Sequence, residues 1–152
     1  NKIKVQKRIK NYFVNKYYHP NIQINLTKSL FRYANTSIDI SDGLITDLEK
    51  MINKQNFSYV LNKDKVPISK SLFNLIKIKR LDKSDLISQG DDYQILFTAS
   101  PAKARIISFT SKNLGIKITK IGKITSGNKK SIIIDQKGRQ MVIKNKGYTH
   151  RF

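Results

Sequence analysis

The segment Asn35-Thr36-Ser37-Ile38-Asp39-Ile40-Ser41-Asp42-Gly43-Leu44-Ile45-Thr46-Asp47-Leu48 changes its hydrophobic period part-way along. Up to Ser41 the pattern alternates, as in a strand whose side chains point to opposite faces. Ile38 and Ile40 then face a core, while Asp39 and Ser41 share the other side. Beyond the switch, Leu44, Ile45, Leu48, Met51 and Ile52 fall at the spacing of a buried helical stripe. Asp42 and Gly43 occupy the turn between the two periods, where a helix start leaves backbone N–H groups unpaired. Two carboxylates, a hydroxyl and unpaired amides are thus expected at one point, an arrangement suited to a metal-bridged phosphate.

The 152 residues suffice for one domain with a sizeable core and hardly for two. No uninterrupted apolar run of about 18 residues occurs, so no membrane span is expected. No basic-then-apolar leader precedes a small-residue cleavage site. The absence of cysteine excludes disulfides and thiolate metal sites, and fits a cytoplasmic protein. Because the chain begins at Asn1, it is expected to be a piece of something longer.

A net charge of +20, from 30 Lys and Arg against 10 Asp and Glu, invites a nucleic-acid reading. Lysines are nevertheless spread along the whole chain, beside abundant Ile and Asn, as AT-rich coding would produce. The denser runs, Lys2 to Lys10 and Lys77 to Lys83, lack the interleaved aromatics and glycines of RNA-binding signatures. Nucleic acid is therefore not the expected partner. The acids carry more information, since Asp39, Asp42, Asp47, Glu49, Asp91 and Asp92 fall in two short segments. Holding carboxylates together costs Coulomb energy unless a cation sits between them.

Along the chain, residues 3 to 17 read as a helix with Val5, Ile9, Tyr12, Phe13 and Tyr17 at helical spacing, ended by His19-Pro20. Leu26 to Tyr33 forms a second, short helix. Phe57 to Leu61 alternates weakly as a strand, and Asn62 to Pro67 is turn-rich. Ser69 or Ser71 caps a helix running to about Lys77, and Leu81 to Ser88 is a short helix or turn. After Gln89-Gly90-Asp91-Asp92, residues 93 to 98 form a strand with Tyr93, Ile95 and Phe97 expected in the core. Ser100-Pro101 starts a helix that Gly115 stops. Ile116 to Ile124 reads as a strand, and residues 131–135 and 140–143 as a hairpin across Lys137-Gly138. Strands and helices mixed in this order predict one α+β domain, a mixed sheet with helices packed on it.

Most familiar catalytic patterns are missing. The histidines, His19 and His150, stand far apart, and no Ser/His/Asp or Cys/His arrangement occurs. There is no phosphate loop of the Gly-x-x-x-x-Gly-Lys type and no Gly-x-Gly-x-x-Gly. Zinc lacks a ligand set. The remaining donors are hard oxygens, which suit Mg²⁺.

Four segments resemble, in order, those of the thiamine-monophosphate kinase family. They are Ile38-Asp39-Ile40-Ser41-Asp42-Gly43-Leu44 with Asp47-Leu48, then Gly90-Asp91-Asp92-Tyr93-Gln94-Ile95-Leu96-Phe97-Thr98, then Ile121-Gly122-Lys123-Ile124-Thr125, and finally Gly147-Tyr148-Thr149-His150-Arg151-Phe152. The resemblance covers residues 1–152 and corresponds to that family's C-terminal domain. It implies the fold of the C-terminal domain of aminoimidazole-ribonucleotide-synthetase-like proteins, with an N-terminal ATP-binding domain outside this chain. It also implies transfer of the γ-phosphoryl group of ATP to thiamine monophosphate, giving thiamine diphosphate, in a homodimer formed through that other domain.

By the same resemblance Asp39 and Asp42 hold Mg²⁺, Ser41 contacts ATP phosphate, Asp91 contacts substrate and Tyr148 packs on the thiamine moiety. Plainer roles exist for each. Asp42 suits an N-cap, worth ~1 kcal/mol; Ser41 suits a capping hydroxyl, and Tyr148 ordinary C-terminal packing. Asp47 and Glu49 are expected on a solvated helix face, and Asp92 either in the site or fixing the turn before its strand. Asp91 replaces the family's usual Glu and is one methylene shorter. Thr149 stands where the family tends to have Asp, and Arg151 looks inserted. The expected fragment is inactive alone. Two rival readings are another enzyme of the superfamily, such as aminoimidazole-ribonucleotide or selenophosphate synthetase, and a basic nucleic-acid-binding module. The first rival's Gly- and Thr-rich motifs are not matched by Ser41-Asp42-Gly43-Leu44.

Overall fold

A computed structural model describes residues 5–52, 55–127, 129–143 and 147. Helices α1 (Lys7–Tyr18) and α2 (Ile24–Leu30) precede strand β1 (Ala34–Asp39) and helix α3 (Leu44–Ile52). Strand β2 (Phe57–Asn62), helices α4 (Lys70–Lys79) and α5 (Lys83–Ile87), and strand β3 (Ile95–Ala99) follow. Helix α6 (Ala104–Leu114) then leads to strands β4 (Gly122–Ser126), β5 (Ile132–Ile134) and β6 (Gln140–Met141). This is the expected mixture of helices and strands.

Two sheets share the core. β1 pairs antiparallel with β3, with Ile38 opposite Leu96 and Asp39 opposite Ile95. The second sheet runs β4-β2-β5-β6 and is mixed, since β2 is antiparallel to β4 but parallel to β5. The β5–β6 pair is the hairpin expected across Lys137-Gly138. Helix α3 ties the two sheets together. All five residues of its stripe, Leu44, Ile45, Leu48, Met51 and Ile52, are buried in a cluster with Ile40 and Leu96 from the first sheet. Tyr59, Leu61 and Ile133 from the second sheet join the same cluster, as do Ile87 of α5 and Ile143. Each such side chain contributes about 1.5–3 kcal/mol relative to exposure, which makes α3 the central strut of the domain.

Helix ends follow the local chemistry. Ser69 Oγ accepts from Leu72 N–H at 3.1 Å, capping α4. Gly115 takes φ +62 at the stop of α6, and His19 closes α1. The strand expected over 116–124 is displaced, because regular pairing begins only at Gly122 and continues to Ser126. Gly122 explains the position, since a Cβ there would sit 2.4 Å from Val60 O on the neighbouring strand. Backbone closeness there overrides the apolar alternation that precedes it.

Two expectations about burial are corrected. α1 forms, but it buries none of its residues, and Tyr17 and Tyr18 are largely exposed. The helical spacing holds, but Ile9, Tyr12 and Phe13 are only half-buried. In β3 the core residue is Leu96, while Ile95 and Phe97 are half-buried and Tyr93 is exposed. The pairing of Leu96 with Ile38 puts both on the face toward α3, which sends Ile95 and Phe97 to the opposite face.

Candidate functional site

Beyond β1 the chain does not turn at once into α3. Ile40 still pairs across to the other strand's approach, donating from N to Gln94 O at 2.9 Å and accepting from Tyr93 N at 3.0 Å. Asp91 N donates to Ser41 O at 2.9 Å. The two acidic segments of the sequence are therefore adjacent backbones.

Glycines allow that approach. A Cβ on Gly90 would lie 2.0 Å from Ser41 O, so only glycine lets the segments meet. Gly43, at φ +120, would place a Cβ 2.3 Å from Ser88 O. Gly147, at φ +141, would place one 2.4 Å from Asp42 O and 2.3 Å from Thr46 Oγ1. The first, second and fourth of the sequence segments thus close on one loop, Ser41-Asp42-Gly43. The third does not join them, because Gly122 serves the β2–β4 pairing. Glycine inside each acidic or terminal segment is a sequence signal for close backbone approach.

The loop itself differs from expectation in one respect. Its amides are not unpaired. Asp47 Oδ2 accepts from the backbone N–H of Ser41 at 2.9 Å, Asp42 at 2.9 Å and Gly43 at 3.2 Å. The helix N-terminus has drawn an anion, and the anion is the protein's own carboxylate. Asp47 is accordingly fully buried, not on a solvated face. It lies one turn into α3, whose Asp47 N donates to Gly43 O at 2.9 Å, and from there its side chain reaches back.

Lys50 completes the arrangement. Its ammonium donates to Asp47 Oδ1 at 2.9 Å and also to Asp42 Oδ2. Burial alone would push the Asp47 carboxyl up. The Lys50 hydrogen bond and the amides of Asp42 and Ser41 outweigh it and leave the group below the ordinary carboxylate range. The Lys50 ammonium is held above the usual lysine value, first by Asp42 and then by Asp47. The cation anticipated between clustered carboxylates is, for this pair, a lysine.

The expected site residues are placed as follows. Asp39 ends β1 with its side chain exposed, as is Ser41. Asp42 is mostly covered, its side chain 14% exposed, beside Lys50. Asp91 is exposed and adopts φ +64, a left-handed backbone that an L residue holds only when its surroundings impose it. Tyr93 is likewise at φ +51, and its hydroxyl donates to Asp91 Oδ1 at 3.4 Å. Asp92 is exposed as a residue, yet partial desolvation of its carboxyl, followed by the charge of Asp91, raises its pKa. Tyr148, the remaining expected contact, lies outside the described residues. A broad groove is lined by Gly90, Asp91 and Asp92 but not by Asp39, Ser41 or Asp42. Geometry around the loop, not cavity size, singles out this place.

The donor set is hard oxygen throughout. Among the described residues no three Asp, Glu or His side chains form a ready metal cluster. Mg²⁺ ordinarily takes only one or two carboxylates and completes its shell with water and phosphate oxygens. The ammonium already resting on Asp42 shows that this position accepts positive charge.

Comparison with known proteins adds to this geometry. Over 143 residues the chain is 34% identical to the thiamine-monophosphate kinase of Buchnera aphidicola subsp. Schizaphis graminum, covering 94% of this chain and 44% of that protein. The chain is similar to thiamine-monophosphate kinases. The resemblance drawn from the four segments is thereby borne out. AaThiL complexed with AMPPCP and TMP superimposes with a TM-score of 0.73 at 23% identity, covering 99% of this chain and 44% of that one. Escherichia coli HypE, a hydrogenase maturation protein, shares the fold at a TM-score of 0.63 and 11% identity over 80% of this chain and 39% of its own. The α+β fold class is borne out by both likenesses, and the second shows that the fold is not confined to the thiamine-monophosphate kinase family. No family model matches the chain. The chain spans less than half the length of the kinase relative named above.

Proposed function

We propose that residues 1–152 form the C-terminal domain of a longer enzyme that transfers the γ-phosphoryl group of ATP to thiamine monophosphate. The observation that carries this reading is the meeting of three glycine-bearing segments on the Ser41-Asp42-Gly43 loop, in a chain similar to kinases of that name. A neighbour of the same fold is complexed with AMPPCP and TMP, a pairing that matches a nucleotide donor and a phosphate acceptor.

In this reading Asp39 and Asp42 hold Mg²⁺, and the Ser41 hydroxyl donates to an ATP phosphate oxygen. Asp91 receives the acceptor, and Tyr148 packs on its thiamine moiety. When bound, Mg²⁺ would offset the negative charge shared by the two reacting phosphate groups. The acceptor phosphate is already anionic near neutral pH, so none of these residues has to remove a proton. Their work is positioning and charge neutralisation. With Asp47 already filling the amides of the loop, phosphate is left to side chains, which makes the Ser41 hydroxyl the loop's donor to ATP.

The fragment is inactive alone, because the other half of the protein supplies the rest of the ATP site and the homodimer contact. Among the described residues no helix is long and apolar enough to cross a membrane. In this reading the enzyme works in the cytoplasm. The test joins the chain to the remainder of its protein and measures thiamine diphosphate formation. Asp39→Asn and Asp42→Asn should each remove most turnover while the fold is retained. Full activity in both variants would discard the metal assignment.

A further inference from the structure

Lys50 sits on the last turn of α3, one helical turn beyond Asp47, with one ammonium against two carboxylates. The two contacts are unlike. Asp47 is fully buried, and its other oxygen is committed to three backbone amides, so this carboxylate cannot leave. Asp42 belongs to the loop and retains 14% exposure. Lys50 itself is 46% exposed, so its flexible stem has solvent to swing into without uncovering the core. A divalent cation approaching Asp42 would gain more Coulomb energy there than the ammonium it displaces.

We propose that Lys50 is a tethered counter-cation, which occupies Asp42 in the absence of a divalent metal and is released from it, while staying on Asp47, when the metal binds. The inference rests on the reading of Asp42 as a metal ligand given above. Its physical content is a competition. Metal must displace an intramolecular ligand, so its apparent affinity is lowered by the fraction of molecules in which Lys50 holds Asp42. In return, Asp42 stays aimed while the site waits, instead of repelling Asp47. Lys50 is thus a positioning residue, acting through Asp42.

The experiment uses the full-length protein with Mg²⁺ alone as probe, titrated by calorimetry. Lys50→Gln should tighten Mg²⁺ binding about fivefold or more, and this gain should vanish when Asp42→Asn is added. Lys50→Arg, which keeps the charge, should stay close to the parent protein, and thermal melting of each variant checks folding. A second measurement needs no variant at all. Reductive methylation of the Lys50 amine, read by peptide mass spectrometry, should speed up on adding saturating Mg²⁺. Unchanged methylation, or binding that Lys50→Gln leaves equal or weaker, overturns the proposal. Failure of the underlying reading looks different, because Asp42→Asn alone would then bind Mg²⁺ as tightly as the parent. No Mg²⁺ binding by any variant would remove both.

Discussion

The two acidic segments that meet at Ser41 O and Asp91 N solve the same electrostatic problem in opposite ways. In the first, Asp42 and Asp47 share an ammonium, and Asp47 is further held by three amides inside the core. In the second, Asp91 and Asp92 lie side by side in an exposed turn, with left-handed backbone at Asp91 and Tyr93. There desolvation first, and then the charge of Asp91, raises the pKa of Asp92. One segment stores its carboxylates at low energy and the other at high energy. The contrast teaches that the first is a scaffold that also presents a ligand. The second is held in strain by its neighbours, the pattern expected where a chain keeps groups ready for a partner.

The largest expected effect strikes the scaffold. Asp47→Ala would orphan the amides of Ser41, Asp42 and Gly43 and leave Lys50 with Asp42 only, at a cost of about 3 kcal/mol or more in stability. Urea denaturation measures it, and a loss within experimental error would remove the distinction between the segments. The pH dependence has a definite sign. The folded pKa of Asp47 is lowered from 3.8, so its stabilisation is fully present above that value and fades as pH falls through the lower folded one. The gap between parent and variant should therefore narrow only in strong acid. Next in size is Gly90→Ala. The new Cβ would fall 2.0 Å from Ser41 O, a backbone atom that cannot rotate away. Overpacking of this kind costs about 1–3 kcal/mol. Amide exchange at Asp91 and Tyr93, which donate across the junction, should accelerate with it.

Much of this was legible in the letters, and the failures share a cause. The stripe Leu44, Ile45, Leu48, Met51 and Ile52 announced α3 and its burial, because apolar spacing is a local property of the chain. Ser69 and Gly115 marked helix ends for equally local reasons. Asp47 was misread because its partners are the amides of Ser41, Asp42 and Gly43. Nothing in a carboxylate's own position on a helix says that it will fold back and cap the turn before it. The face of β3 was misread because alternation reports two faces without saying which is inward, and the pairing with Ile38 decides that. For the candidate site, the four segments are visible in the letters, yet only the fold shows that three of them meet and that Gly122 belongs elsewhere.

The strained segment answers to smaller changes of the opposite sign. Asp91→Gly would relieve a left-handed backbone that costs an L residue about 1 kcal/mol, so the variant should be more stable by nearly that amount. With Asp91 contacting the substrate as proposed, the same change should raise KM for thiamine monophosphate in the full-length enzyme. A variant that is both more stable and fully active would mean that the strain serves no ligand.

The smallest effect discriminates most finely. The carboxyl of Asp92 has a raised pKa, by desolvation first and by Asp91 second, so its ionised form opposes folding. Below the ordinary value of 3.8 both states are protonated and the penalty is absent; it grows as pH rises through the folded pKa and persists at neutral pH. Asp92→Asn should therefore stabilise the protein near pH 7 and do nothing in strong acid, the mirror image of Asp47. Because the residue is exposed, solvent screening limits the gain to about 0.5 kcal/mol. Melting curves at low and neutral pH would show it. Destabilisation at neutral pH would instead mean that Asp92 pairs with a cation after all, and the second segment would then resemble the first.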